Sequence, residues 1–246
     1  MDVFKAALVM RDRVYVPDHD SHDRMLRELG VEEDEVVLVN LAPFAGVMDS
    51  DPKDWRYRCD QEILPDWYDA EDAEARVRAA VSDWCKVHVL REGEHEVHGG
   101  SWIVGGTAKV RAYDACNITA FGRCTVLALG GDSVLTSSTV AAYDYSKIKA
   151  WGKTTVTAHD YSAVDALDDA VVDAWDSSTV DALGYSVVRA MDRAHINAWY
   201  NSTVILPKSY QTRNALQLHD DAVCIDHKTN TIITASQQAQ KEANNE

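Results

Sequence analysis

The sequence has few basic residues, few prolines and no long hydrophobic run. Lys and Arg number 24 against 40 Asp and Glu, so the chain of 246 residues carries a formal net charge of -16 at pH 7. This balance argues against the basic surface with which proteins usually bind nucleic acids or anionic membranes. A transmembrane helix needs about 18 consecutive apolar residues, and no such stretch or secretory leader is recognisable. We therefore expect neither direct nucleic-acid binding nor membrane insertion.

Cysteine is also scarce, and its spacing excludes two common frameworks. The five cysteines are odd in number and form no C-x-x-C pair, which argues against a disulfide scaffold and against a zinc knuckle. They are Cys59, Cys85, Cys116, Cys124 and Cys224. Cys116 and Cys124 lie eight residues apart and are expected to be buried thiols. These features indicate a reducing, cytoplasmic environment.

The dominant feature of the sequence is an eight-residue repeat between residues 102 and 206. An aliphatic residue recurs at Val140, Ile148, Val156, Val164, Val172, Val180, Val188, Ile196 and Val204. An alanine follows two positions later in all but the last unit, and Val110, Ile118 and Val126 begin earlier copies. Alternation of small apolar and variable residues is typical of a strand with one buried face, and an even repeat keeps every copy facing the same way. Because stacked copies bury one continuous core, the pattern predicts a mainly β protein built as a parallel β-helix.

Residues sixteen apart indicate how many octads make one coil. One series is uniform and consists of Asp144, Asp160, Asp176 and Asp192. The alternate series is mixed and consists of Gly152, Asp168, Gly184 and Tyr200. This contrast favours a coil of two octads, with two strands back to back, over a coil of three. At about 4.8 Å per coil, roughly six coils predict a rod about 30 Å long.

The repeat has one irregularity. Val134 and Thr136 continue the register of the earlier units, and the next unit begins six residues later at Val140. This spacing predicts that two residues are missing from one corner, with a tightened turn or kink near residues 136 to 139.

The segments outside the repeat divide the chain into three parts. We expect a small α/β capping domain at 1–92, the octad-repeat β-helix at 93–206, and a hairpin cap with a frayed polar tail at 207–246. In the first part the pattern predicts a hairpin from Phe4, a helix ending at Gly30 and a longer helix beginning at Asp69. A helix before a β-helix is suited to cover the open edge of the first coil.

Two surface features of the predicted solenoid are candidates for binding. Large apolar residues follow the alanines and should point outward as a ladder, which includes Tyr143, Trp151, Leu167, Trp175, Leu183, Met191 and Trp199. Such a row either stacks on itself along the rod or forms an interface. The second feature is an acidic belt in the window 154–188, which contains no Lys or Arg; we assign to it Asp165, Asp169, Asp173 and Asp181.

No metal, cofactor or catalytic residue is assigned from the sequence. Residues 18 to 23 read Asp-His-Asp-Ser-His-Asp, a segment rich in metal-ligand types that include His19 and His22. Asp and Ser are equally ordinary at helix N-termini, and no distant ligand completes a set. The uniform Asp series is similar to that of calcium-binding β-rolls. Their Gly-rich turns are missing here, which favours, over a calcium ligand, an Asp that accepts an unusual corner conformation and bonds a neighbouring amide.

From about residue 102 onward the octads resemble those of uncharacterised phage and bacterial proteins with long S-x-V-x-A-x-[D/G]-x arrays. The segment from Trp55 to Trp84, with the run Pro65-Asp66-Trp67-Tyr68, is similar to the domain that precedes some of those arrays. The resemblance implies the β-helix fold and a phage origin, and it brings no activity or site residue. Pentapeptide-repeat proteins, acidic β-helices that imitate duplex DNA, share the rod shape but not the eight-residue period.

Three functions are compatible with these features. The first is a non-enzymatic binding or assembly module, phage-borne and homo-oligomeric, that presents β-helix ladder surfaces to a protein partner or to another copy of itself. The second is an acidic decoy that imitates DNA and inhibits a host DNA-binding or defence protein through the acidic belt. The third is a metal-dependent enzyme with its site near His88, His95 and His98, where the first two parts join.

Overall fold

A computed structural model describes residues 4–43, 51–131, 137–208 and 216–243. The chain divides into two compact units, Met1–Val89 and Leu90–Glu246. The first is a small sheet with helices, and the second is a parallel β-solenoid, so the predicted mainly β architecture is confirmed.

The first unit is a four-stranded antiparallel sheet with two α-helices. The strands are β1 (Lys5–Val9), β2 (Val14–Tyr15), β3 (Val37–Ala42) and β4 (Arg56–Cys59), in the order β2-β1-β3-β4, and the helices are α1 (His22–Leu29) and α2 (Ala70–His88). Short 3-10 turns occupy Glu33–Glu35 and Pro52–Asp54. Ser21 caps α1, Gly30 ends it with a φ of 63°, and Asp69 caps α2. The predicted hairpin, the end of α1 at Gly30 and the start of α2 at Asp69 are therefore confirmed, whereas the capping role of this unit stays a prediction.

In the second unit, strands alternate between two faces of a flattened coil. The strands are β5 (Val89–Leu90), β6 (Glu94–Val104), β7 (Lys109–Ala120), β8 (Thr125–Leu129), β9 (Thr139–Ala142), β10 (Lys147–Trp151), β11 (Thr155–Ala158), β12 (Ala163–Ala166), β13 (Val171–Ala174), β14 (Thr179–Ala182), β15 (Val187–Ala190), β16 (His195–Ala198), β17 (Thr203–Leu206), β18 (Leu216–Leu218), β19 (Val223–Asp226) and β20 (Thr231–Thr234). Strands β6 and β7 are long enough to bend across both faces, with a register shift between His98 and Gly100.

The pairing register fixes the coil at sixteen residues. Ile148 pairs with Val164 on one face and Val156 with Val172 on the other, so each strand contacts the strand two places on in the sequence. Among the described residues, each face has eight parallel strands when β6 and β7 are counted on both. The solenoid therefore has about eight turns rather than six, because residues 94–104 and 216–226 add a degenerate coil at each end.

Two coils are longer than the others. Val126 pairs with Ile148 and Ile118 with Val140, so this coil spans 22 residues. The irregularity before Val140 is therefore an insertion of six residues, and the predicted deletion of two is wrong. Val134 lies outside the described residues; the pairing needs no strand between β8 and β9. A second, smaller insertion follows β17, because Ile196 pairs with Leu216 twenty residues on.

The core of the solenoid is narrow and uniform. The inward Val, Ile and Ala side chains of the octads are almost completely buried, as are Cys116 and Cys124. The inward serines are buried as well, and Ser162, Ser178 and Ser202 donate to the carbonyl three residues earlier at 2.7 to 2.8 Å. A buried hydroxyl without a partner would be unfavourable by about 1 to 3 kcal/mol, so this local bond explains how these three serines fit the inside of a corner. The buried hydroxyls of Ser146 and Ser186 have no hydrogen-bond partner within the described part of the chain.

The far end of the solenoid is covered by a hairpin and a helix. Strand β20 pairs antiparallel with β19, which confirms the predicted hairpin. The frayed tail expected from Ser236 onward is wrong for residues 236–243, which lie in helix α3 (Ala235–Ala243). Gln238 in this helix accepts a bond from the amide of Leu218 at 2.9 Å and donates to the carbonyl of Leu216. This side chain satisfies two backbone groups at the edge of β18, and edge groups left unpaired would recruit other strands.

Candidate interaction surfaces

The predicted apolar ladder forms two columns on opposite corners of the coil, not one row. Strands of one face lead into the aromatic corner, which we define by Phe121, Tyr143, His159, Trp175 and Met191. Strands of the other face lead into the mixed corner, which we define by Tyr113, Leu129, Trp151, Leu167, Leu183 and Trp199. The seven predicted ladder residues are therefore split, three on the first corner and four on the second.

Rings on the aromatic corner stack on one another from coil to coil. The ring centroids of Phe121 and Tyr143 are 5.1 Å apart, those of Tyr143 and His159 5.1 Å, and those of His159 and Trp175 6.2 Å, with planes within 15° of parallel. The spacing is close to the rise between strands. Burial raises the pKa of the Tyr143 phenol above its ordinary value. The faces of these rings therefore contact neighbouring rings, and chiefly the ring edges meet solvent, as the self-stacking interpretation predicts.

The mixed corner is less continuous. Leucines separate its two tryptophans, and Trp199 instead stacks on His219 in the following coil with ring centroids 3.6 Å apart. The exposed fraction is 48% for Trp151 and 37% for Trp199, against 36% for Trp175 on the aromatic corner. The ladder side chains are therefore partly covered everywhere, and neither corner presents a broad open apolar surface.

The uniform aspartates hold the aromatic corner together. Asp144, Asp160, Asp176 and Asp192 have φ between 49° and 56°, the left-handed region. The carboxylate of Asp160 accepts a bond from the amide of Asp144 at 3.1 Å, and that of Asp176 accepts one from the amide of Asp160 at 3.3 Å. The carboxylates of Asp144, Asp160 and Asp176 thus tie their coils to the coil before. This arrangement is the predicted corner role, and it directs these oxygens at the backbone rather than at a shared ion.

The predicted acidic belt wraps around the solenoid. Asp165 and Asp181 are paired neighbours on one face, Asp173 lies on the opposite face, and Asp169 lies on the corner between them. Asp165 lies 3.5 Å from the ammonium of Lys149, and Asp173 forms a bidentate ion pair with Arg189. The window without basic residues is therefore bordered in space by cations from the coils before and after it, which neutralise two of its four predicted carboxylates.

The two faces of the solenoid differ in the residues that point outward. The charged face presents a series that alternates in sign along its first coils, with Glu94 against Lys109 at 3.1 Å and Glu96 against Arg111 at 3.3 Å. We define it by Glu94, Glu96, Lys109, Arg111, Thr125, Leu127, Lys147, Lys149, Ala163, Asp165, Thr179, Asp181, His195, Asn197 and Gln217.

The opposite face, the Thr/Val face, is nearly free of charge. Its outward positions are Asn117, Thr119, Thr139, Ala141, Thr155, Thr157, Val171, Asp173, Val187, Arg189, Thr203, Ile205, Val223 and Ile225. Only Asp173 and Arg189 in this set are charged, and they neutralise each other. The sequence interpretation missed this face because it grouped charges by a sequence window; sorting outward residues by columns sixteen apart would have found it.

The Asp-and-His segment of the first unit is held by separate partners. Asp20 binds the buried ammonium of Lys5 at 2.9 Å, and His19 binds Glu28 at 2.9 Å. The hydrogen bond from His19, followed by that from Arg24, lowers the pKa of Glu28 to about 2. His22 contacts the carbonyl of Val39 at 3.2 Å. Asp20, His19 and His22 thus each bind a different neighbour and together hold the start of α1 in place, which is a structural role.

The three histidines considered for an enzyme site also have individual neighbours. His88 stacks on Trp84 with ring centroids 4.5 Å apart, His95 contacts the carbonyl of Glu92 at 2.7 Å, and His98 lies 3.3 Å from Asp114. Within residues 4–43, 51–131, 137–208 and 216–243, no cluster of three His, Cys, Asp or Glu side chains has the geometry of a metal site.

Comparison with protein-family models, with characterised proteins and with solved structures finds no match to the chain. Among the described helices, none is long and apolar enough to cross a membrane. All five cysteines are free thiols. Burial raises the pKa of Cys124 to about 11, as expected for an inert core thiol.

Proposed function

We propose that this protein is a non-enzymatic binding or assembly module and that its contact surface is the Thr/Val face of the solenoid. The observation that carries the proposal is the segregation of charge between the two faces. The charged face has three cross-strand ion pairs, Glu94 with Lys109, Glu96 with Arg111 and Lys149 with Asp165, and further charged residues besides. The Thr/Val face has one such pair and otherwise carries mainly hydroxyl, methyl and isopropyl groups over consecutive coils. A flat surface depleted of charge is what the core of a protein interface requires.

The chemistry of the face supports a protein partner. Apart from Asp173 and Arg189, its outward side chains lose little hydration energy on contact, because Val and Ile are apolar and Thr offers one hydroxyl. The strands are short and in register, so these side chains form a regular grid that a second flat protein surface is able to match. The proposal keeps the protein in the cytoplasm, where its thiols remain reduced. The resemblance of the octads to phage arrays supports a phage origin.

The ladder corners and the acidic belt contribute less to this proposal. Ring faces on the aromatic corner are occupied by neighbouring rings. A decoy that imitates DNA needs a dense array of unpaired carboxylates, and Lys149 and Arg189 pair with two of the four belt residues. The decoy therefore remains an alternative without a specific structural observation in its favour. For the junction enzyme the structure offers an open groove on the first coils of the charged face, which brings His95 together with Glu94, Glu96 and Lys109 but includes neither His88 nor His98.

The proposal is tested by placing a photo-crosslinking amino acid at Val187 on the Thr/Val face or at Thr179 on the charged face. The two positions are matched, since each opens its strand in the same stretch of solenoid and points outward. Irradiation in the native cell should give protein adducts from Val187 and far fewer from Thr179, with the adduct identified by mass spectrometry. Equal yields from both positions, or no adduct from Val187, contradict the proposal.

A further inference from the structure

We infer that the occupant of the Thr/Val face is a second copy of this chain, bound so that the two solenoids run antiparallel. The inference rests on the proposed function, because it names the partner of the same face. It starts from Asp173 and Arg189, the two charged residues among the described positions that define the face, which lie directly opposite each other on neighbouring strands β13 and β15.

The charges of the face are self-complementary about a two-fold axis. If both copies present the same face, the two-fold axis must lie in the plane of the interface. An axis that is parallel to the strands and passes between β13 and β15 gives the second copy the opposite order of coils along the solenoid. Asp173 then faces Arg189 of the second copy, and Arg189 faces Asp173 of the second copy. An isologous interface requires this reciprocal matching.

The uncharged positions obey the same symmetry. The outward residues of this face form two columns along the solenoid. Asp173 and Arg189 belong to one column. In the other column Val171 and Val187 flank the axis, and Thr155 and Thr203 lie one coil further out. The axis therefore brings valine onto valine and threonine onto threonine. In the column that contains Asp173 and Arg189, Thr157 of one copy meets Ile205 of the other. The two charges on each copy are therefore surrounded by methyl and hydroxyl groups rather than by other ions.

A two-fold axis parallel to the solenoid gives a worse fit. This axis places each coil opposite the equivalent coil of the second copy, with the strands running in opposite directions. Asp173 then faces Val171 of the second copy, and Arg189 faces Val187. Both ions would be desolvated against isopropyl groups, a costly arrangement for charge. Because the antiparallel arrangement instead surrounds each ion with two counterions, charge complementarity selects it.

The size of the face indicates a weak, reversible complex. Eight strands overlap in the antiparallel arrangement when β20 is included; at about 4.8 Å per strand and about 13 Å of strand length, the footprint is roughly 500 Å² per copy. The total of about 1,000 Å² is at the low end for specific complexes. We therefore expect a reversible dimer with a dissociation constant on the order of 10 μM.

The test is a charge exchange measured by sedimentation velocity of the full chain at concentrations from about 1 to 200 μM, a range that brackets the expected constant. In a dimer D173R would place four arginines at the axis and R189D four aspartates, so each variant alone should dimerise at least tenfold more weakly than the wild type. An equimolar mixture of the two restores opposite charges across the interface and should recover the dimer. D165R is the matched control, since it makes the same substitution on β12 of the charged face and should leave the wild-type constant unchanged.

The variants D173N and R189Q control for misfolding, because each removes a charge without creating repulsion. Each should weaken the dimer by a smaller factor than the charge reversals do. Each should also unfold cooperatively in urea, which shows that it is folded. A monomer at every concentration overturns the inference, as does a dimer that persists unchanged in both D173R and R189D. A monomer in sedimentation combined with crosslinks from Val187 to another protein leaves the proposed function standing and removes only the second copy.

Discussion

The two corners of each coil follow the same backbone path with different chemistry. On the aromatic corner the left-handed position is Asp in four successive coils, and carboxylates bond amides of the preceding coil. On the mixed corner the corresponding positions are Gly152, Asp168, Gly184 and Tyr200, all with positive φ between 54° and 72°. Asp168 makes no such bond within the described part of the chain. One corner is held by side-chain bonds, whereas the other depends on close approach of the backbone.

The largest effect should come from blocking that close approach. A Cβ at Gly152 would lie 2.4 Å from the carbonyl oxygen of Gly130, and the φ of 63° disfavours any side chain. Gly152→Ala should therefore lower the free energy of unfolding by about 2 to 4 kcal/mol, measured by urea denaturation, from the left-handed conformation and the overlap together.

Gly99 supplies the matched control for that substitution. It has a φ of 61° and open space around the Cβ position, so Gly99→Ala should lose only the conformational part, about 1 to 2 kcal/mol. If the two variants were equally destabilised, close backbone contact would not distinguish the mixed corner.

The next effect concerns the carboxylate bonds of the aromatic corner. Asp160→Ala removes the acceptor for the amide of Asp144 and places Ala in a left-handed conformation with φ of 55°. We expect a loss of about 2 kcal/mol in the free energy of unfolding, of which about 1 kcal/mol belongs to the hydrogen bond.

Asp168→Ala changes the same residue type at the mixed corner, where φ is 54° and the carboxylate bond is missing. Its loss should be about 1 kcal/mol smaller than that of Asp160→Ala, because only the conformational term remains. Asp160→Asn, which keeps both an acceptor oxygen and tolerance of positive φ, should fall between the wild type and Asp160→Ala. Equal losses at Asp160 and Asp168 would show that the bonded column adds no stability.

The sequence predicts the regular part of this fold because each inward position serves one purpose. Val156, Ala158 and Ser162 repeat every eight residues since every coil must fill the same narrow interior. The 22-residue coil was misinterpreted because Val134 falls in register by spacing alone, and spacing does not reveal which strands pair. Helix α3 was missed because it is held at the edge of β18 by two hydrogen bonds of one polar side chain, Gln238, with no apolar stripe to mark it.

The surfaces are less predictable than the core, for a physical reason. Outward residues are constrained only by their neighbours in adjacent coils, sixteen positions away, so their partners do not appear in a local window. Asp173 therefore looks like part of an acidic cluster in the sequence, although its partner is Arg189 in the next coil. The ladder of rings was predicted because its members share one side-chain class, but its division between two corners depends on the coil length.

The smallest effect should be a gain in stability at the mixed corner. Tyr200 has a φ of 56°, a conformation in which a β-carbon crowds the following carbonyl, and its side chain is 55% exposed. Tyr200→Asn should raise the free energy of unfolding by about 0.5 kcal/mol, because Asn tolerates this region better than Tyr. Tyr185→Asn is the control, since Tyr185 is 67% exposed on the same corner and is not a residue of positive φ. A gain at Tyr185 as large as that at Tyr200 would trace the effect to loss of an exposed ring and not to relief of the left-handed conformation.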